Sequence, residues 1–167
     1  MSRANVFEPD LEPDTDNPPG FRIRGAEVGH QAGSHRLGAS LYELPSGEAL
    51  CPYHWHEANE EMAIVLSGRP SIRTPAGWRE LVPGELVSFP RGRDGAHQVM
   101  NRGDETARVL MVSEMNAPEL VVYPDSNKAG VRSRAPGSAR TSDEILARFR
   151  FEDAVDYWEG EPPPGPG

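Results

Sequence analysis

Between residues 21 and 125 the chain alternates short apolar runs with turns marked by glycine and proline. "FRIRGAEV" and "HRLGASLYEL" read as strands, followed by the turn "PSGE". "EMAIVLSG", "SIRT", "WRELV" and "ELVSFP" come next, divided by "RP", "PAG" and "PG". After the loop "RGRDGA" the chain continues through "HQVMN", the turn "RGDE", "ARVLMVSEM" and "ELVVYP". Apolar runs repeated about every eight to twelve residues, with this punctuation, predict an all-β fold, an antiparallel sandwich or barrel. "RVLMVSEM" is almost continuously apolar, as expected of a strand covered on both faces. One segment carries a helical pattern instead. In "TSDEILARFRF", Thr141 and Glu144 have the spacing of a capping box, and Ile145, Leu146 and Phe149 form an apolar stripe. A short C-terminal helix packed on the barrel is expected there.

The ends differ from this core. Residues 1–20 are rich in Asp, Glu and Pro and predict an extended segment draped over the domain. The organisation expected is that segment, a barrel over 21–125, a C-terminal loop and helix over 126–158, and a disordered Pro/Gly tail over 159–167. Glycine and proline, at 17 each, suit a turn-rich β fold. A net charge of −9 argues against nucleic acid or an anionic membrane as partner, since phosphate binding needs concentrated Lys and Arg. A single cysteine, Cys51, excludes an intramolecular disulfide, and no apolar stretch has the length of a signal peptide or membrane span. A cytoplasmic location is expected.

The chemistry is concentrated in "CPYHWHEANEEMAIVLSG", residues 51–68. His54 and His56 are two apart, so an extended strand points both imidazoles to one face and Trp55 to the other. The loop "EANE" can fold the next strand back and bring Glu61 near both rings. His97, opening "HQVMN", can enter the same barrel from a neighbouring strand and complete a set of three imidazoles. Such a set with one carboxylate suits zinc, iron, manganese, nickel or copper, and leaves coordination positions open. The plainer reading is polar residues on a rim with His97 a satisfied core histidine, and the spacing of all four favours the metal. Cys51 reads as a small buried hydrophobe before a ligand or redox thiol.

These residues resemble the two metal motifs of the cupin superfamily. The first runs Gly, H-x-H, three or four residues, Glu, six residues, Gly. His54, His56, Glu61 and Gly68 match it, with the leading glycine displaced by one to Gly47. The second runs Gly, five residues, P-x-G, two residues, His, three residues, Asn. Gly84, Pro90, Gly92, His97 and Asn101 match, except that "RDGA" replaces the two residues before the histidine. The longer turn is expected to leave His97 on the inner face. The resemblance covers residues 47–101, with strand pattern to about 123, and the chain looks like a small single-domain bacterial cupin.

It implies a double-stranded antiparallel β-barrel of jelly-roll type. It also implies one divalent transition metal ion on His54, His56, Glu61 and His97, zinc or iron first, then manganese or nickel. The motif selects Glu61 over Glu60, which should point the opposite way, and leaves Glu57 as a loop charge. Gly68, Gly84 and Gly92 are expected in turns, Asn101 bonded to backbone, and Gln98 outward.

The implied function is a metal-dependent enzyme, of oxygenase, isomerase or lyase type, acting on a small polar metabolite at the barrel mouth. The alternative is a non-catalytic cupin that binds or senses a small molecule or sugar. Tyr42, Glu43, Tyr53, Glu114 and His35 are candidates for a general base, while His30 and His35 read first as surface residues. Arg91 and Arg93 read first as a solvated turn, and otherwise as holders of a substrate carboxylate. A homodimer is expected, with the N-terminal segment able to add a strand to a partner's sheet.

Overall fold

The structure, a computed structural model, describes residues 4–135, 142 and 144–165. Its strands begin with β1 (Glu12–Pro13), β2 (Arg24–Ala26), β3 (Leu37–Leu44), β4 (Trp55–His56) and β5 (Glu61–Ser67). They continue with β6 (Ser71–Thr74), β7 (Gly77–Glu80), β8 (Leu86–Phe89) and β9 (Gln98–Met100). The last are β10 (Ala107–Glu114), β11 (Glu119–Tyr123), β12 (Lys128–Arg132) and β13 (Leu146–Arg150). A one-turn helix, α1 (Val28–Gln31), begins at the last residue of the run read as the first strand.

All strand pairs are antiparallel, and β10 lies inside a sheet ordered β1-β2-β3-β10-β5-β8. Its alternation explains the continuous apolar run. Val109 and Met111 face the main core, while Leu110 faces a second cluster on the outer side of the sheet. Ala4, Val6 and Leu11 of the N-terminal segment join that outer cluster with Val28 and Leu41. β1 pairs with β2 of its own chain and forms the edge of the six-stranded sheet.

The opposite wall consists of two smaller sheets, β13-β12-β11-β4 and β7-β6-β9. They are joined by a bridge between His54 and His97, in which each residue's N–H donates to the other's carbonyl at 3.1 and 2.8 Å. The main core lies between the walls, with Val65, Phe89 and Val109 from the larger sheet meeting Ile72 and Val99 from the smaller. The result is the expected all-β antiparallel double-sheet barrel.

Among the described residues the C-terminal helix is not found. Leu146–Arg150 is strand β13, paired residue by residue with β12, itself inside a segment read as loop. Thr141, the expected cap, lies outside the described residues. An isolated helix this short is marginal in water, whereas β12 offers an open edge of main-chain donors and acceptors. Ile145, Leu146 and Phe149 remain exposed, so their helical spacing does not mark a core-facing stripe.

Two motif residues have clear structural duties. Gly68 has φ +74°, and a Cβ there would lie 2.6 Å from the Ala107 Cα. Asn101, fully buried, donates to the carbonyls of Leu44 and Glu105 and accepts from the Gly103 N–H, as its turn position predicts. Among the described residues no helix is long and apolar enough to cross a membrane.

Candidate metal centre

β4 is only two residues long and is held by β11, with His56 opposite Val121 and Trp55 opposite Val122. That pairing turns His56 inward and sends Trp55 into a cluster with Tyr53, Ala96 and Val122. His54, two residues before His56, shares its face and is fixed by the bridge to His97. Glu61 arrives from the other wall at the start of β5, on the side of Ala63 and Val65. Donor atoms of His54, His56 and Glu61 lie within 4.8 Å of one another. His54 Nε2 and His56 Nε2 are 2.9 Å apart, and Glu61 Oε2 is 3.3 Å from both His56 Nε2 and His97 Nε2. Of the four residues predicted from the sequence, His54, His56 and Glu61 form one group, and His97 adjoins it through Glu61.

Two of the rings are hydrogen-bonded through Nδ1, and the third has a carboxylate beside it. His54 Nδ1 lies 2.8 Å from the Pro52 carbonyl, His97 Nδ1 2.9 Å from the Gly95 carbonyl, and His56 Nδ1 3.3 Å from Glu119 Oε2. Those oxygens can only accept, so the Nδ1 atoms carry the protons and the Nε2 atoms face Glu61. His56 Nδ1 and His97 Nε2 are both buried without a hydrogen bond of good geometry among the described residues, although each lies 3.3 Å from a carboxylate oxygen. Ligands about 2.1 Å from one ion lie about 3.0 Å apart at right angles and about 3.4 Å apart in a tetrahedron. The separations among His54, His56 and Glu61 therefore fit a single divalent ion, and His97 Nε2 reaches the same Glu61 oxygen from outside that set of three.

The titration behaviour agrees with a cluster built for a cation. Burial, then the neighbouring His97 and His56 rings, pushes His54 down to about 3. Burial also opposes a charge on His56, but the carboxylates of Glu119 and Glu61 outweigh it and lift this imidazole to about 9. Glu61 is held far below the usual carboxylate range: burial raises it, and the facing His56 and His97 rings overcome that effect. Burial pushes the Cys51 thiol strongly up, consistent with a packing role.

Glu119 is the residue beside the candidate site that the sequence pattern does not single out. Only 3% exposed, it accepts from the Ala58 N–H and from the Asn59 side chain, which also donates to the Asn116 carbonyl. Its one legible signal is period two: Glu119, Val121 and Tyr123 of "ELVVY" share the face that looks at His56. Glu60 is turned away, accepting from the Ser88 hydroxyl.

Most of the base candidates are occupied elsewhere. Glu43 pairs with Arg24 and Arg108, Glu114 with Arg91, and Tyr53 lies beneath the Arg73 guanidinium. Arg93 sits over the Trp55 ring, so neither loop arginine stands at the site. Gln98 donates to the Cys51 carbonyl, and Glu57 accepts from the Trp55 indole. Tyr42 does approach the site. It lines a cavity of about 290 Å³ with Glu61, together with Glu27 and His30, the latter exposed yet turned toward this space. On the other side of Glu61 a cavity of about 220 Å³ is lined by His56, Glu119, Tyr123 and residues of β12 and β13.

Gly95 connects the lengthened loop to this geometry. Its carbonyl holds His97, and a Cβ on it would fall 1.7 Å from the Pro90 carbonyl oxygen. Gly95→Ala is therefore expected to lower stability by about 2 kcal/mol, as forced overpacking does. A denaturant midpoint equal to wild type would contradict that account.

Fold and site together define a jelly-roll barrel with a histidine–carboxylate cluster inside its mouth. Residues 40–113 match the Cupin domain family. Among solved structures it is similar to a proposed sugar phosphate isomerase from Acidithiobacillus ferrooxidans, 24% identical with TM-score 0.75, covering 90% of this chain and 91% of that one. A cupin described as a sugar phosphate isomerase from Silicibacter pomeroyi is 23% identical with TM-score 0.69, covering 86% and 99%. The polyketide cyclase RemF from Streptomyces resistomycificus is 21% identical with TM-score 0.57, covering 84% and 88%. At these identities the likeness is one of fold. No curated protein matches the sequence.

Proposed function

We propose that the protein is a metal-dependent enzyme that binds one divalent transition metal ion through His54, His56, Glu61 and His97 and transforms a small polar metabolite at the barrel mouth. The observation that carries this reading is the convergence of donor atoms of His54, His56 and Glu61, with His97 Nε2 3.3 Å from the same carboxylate oxygen, beside two cavities that Glu61 lines. Zinc or iron suits that donor set first, then manganese or nickel. When bound, such an ion polarises a substrate oxygen as a Lewis acid or supports oxygen chemistry.

The chain's own residues provide the rest. The carboxylate of Glu119 and the carbonyls of Pro52 and Gly95 keep the rings aimed, an arrangement that raises ligand basicity. Across Glu61, the groups able to take or give a proton are Glu27, His30 and Tyr42. Neighbours of the same fold described as sugar phosphate isomerases favour isomerisation over oxygenation. We also take the protein to be cytoplasmic and homodimeric. Exposed Phe149, Phe151, Tyr157 and Trp158 support pairing of copies, which scattering at micromolar concentration would test by mass.

The test is to incubate protein purified without chelator with a panel of sugar phosphates and hydroxy acids in D2O, followed by proton NMR. Turnover or solvent deuterium uptake, abolished by chelator and restored by metal, is the expected result. Full metal content with no change in any compound, and no oxygen uptake by the iron form, would favour the binding role instead.

A further inference from the structure

The register of the four-stranded sheet lines up His56, Val121, Gly130 and Arg148 in one row across β4, β11, β12 and β13. Paired residues point to the same face, so Arg148 stands on the inner side with His56, about 14 Å away at three strand spacings. Between them lies a glycine. The Arg148 Cγ is 3.5 Å from where a Gly130 Cβ would be, so the arginine stem lies across a position without a side chain. The neighbouring row reads Glu119, Arg132, Leu146, and places Arg132 on the same face. Both arginines line the 220 Å³ cavity that also holds His56 and Glu61.

The charges here run against those of the chain, which carries a net −9. The cavity's own carboxylates, Glu61 and Glu119, are turned to the imidazoles. Arg132 approaches Glu144 at 4.0 Å, and Arg148 makes no ion pair among the described residues. An arginine on an edge strand also discourages aggregation, but that duty does not require convergence on a cavity with a second guanidinium.

We propose that Arg148, with Arg132, binds the oxyanion group of the substrate, a phosphoryl or carboxylate group, and so sets its distance from the metal ligands. Guanidinium forks match either group in a bidentate manner. Arg148 is a specificity-determining residue, supplied by a strand beyond the residues that match the family. The inference rests on the reading of the site as a metal-dependent enzyme, and names the class of compound it takes.

The experiment is calorimetric titration of inorganic phosphate, and separately of acetate, into the full chain with and without zinc, with zinc content measured independently. Arg148→Ala is expected to weaken anion binding roughly tenfold or more, the loss of a charge-assisted pair. Gly130→Val, which keeps the guanidinium but fills its path, should weaken binding in the same direction. Arg148→Lys should retain part of it, Arg69→Ala should change nothing, and zinc content should stay at the wild-type value throughout. Tighter phosphate than acetate binding identifies a phosphoryl group, and the reverse a carboxylate. Unchanged affinity in Arg148→Ala, or no binding of either anion by the wild type, overturns the proposal. Arg148-dependent phosphate binding by a protein that takes up no zinc would refute the metal reading and leave the arginine assignment standing.

Discussion

Replacing His97 by alanine is expected to leave the purified protein nearly free of the divalent metal that the wild type retains. His97 Nε2 is a buried ring nitrogen without a hydrogen bond among the described residues, and it lies 3.3 Å from the Glu61 carboxylate. Glu119→Gln should act through His56: the ring keeps its place but loses the negative charge behind it, and affinity should fall roughly 10- to 100-fold. Removing a ligand should cost more than removing its support, so the order of metal loss is His97→Ala beyond Glu119→Gln. Elemental analysis after dialysis against a weak chelator reads both. Full occupancy in His97→Ala would remove it from the ligand set.

Metal uptake should also release a proton. In the metal-free protein His56 titrates near 9, so at neutral pH it is an imidazolium, while His54, near 3, is neutral. One hydrogen between their Nε2 atoms, 2.9 Å apart, occupies the place of the cation. Apparent affinity should therefore rise roughly tenfold per pH unit up to about pH 9 and then level off. Calorimetry in buffers of different ionisation enthalpy would count about one proton per ion, and a pH-independent affinity would contradict it. The stability of the metal-free protein follows the same groups. The raised pKa of His56 contributes stability that is complete below about pH 6.5, its unfolded value, and is lost as pH rises through 9. The lowered pKa of His54 works the other way, contributing fully above about pH 6.5 and being lost as pH falls toward 3.

The candidate site is legible in the sequence because its information is local. H-x-H needs only an extended backbone to put two rings on one face, and the motif spacing separates Glu61 from Glu60. The strands β5, β6, β8 and β10 are legible for the same reason, from period two and from turn residues. What escapes is decided by partners distant in sequence. Leu146–Arg150 has helical spacing, yet the edge of β12 determines its conformation. Glu119 looks like one acid among 26, and becomes special only when β11 lies beside β4. Arg148 is invisible until two registers are known, whereas Arg91 and Arg93 attract attention by standing next to a motif histidine in sequence.

The bridge between His54 and His97 has a consequence for how this barrel can diversify. Their separation is a main-chain spacing, enforced by two reciprocal N–H···O bonds, and does not depend on the path of the chain between Gly92 and His97. The loop there carries two residues more than the motif pattern, taken up in a single 3-10 turn over Arg93–Gly95, while the histidine keeps its register. Centre and rim are thus separable modules. Loop length can be altered to reshape what enters the mouth without detuning the donor atoms beneath it, provided a glycine remains where the turn passes the Pro90 carbonyl.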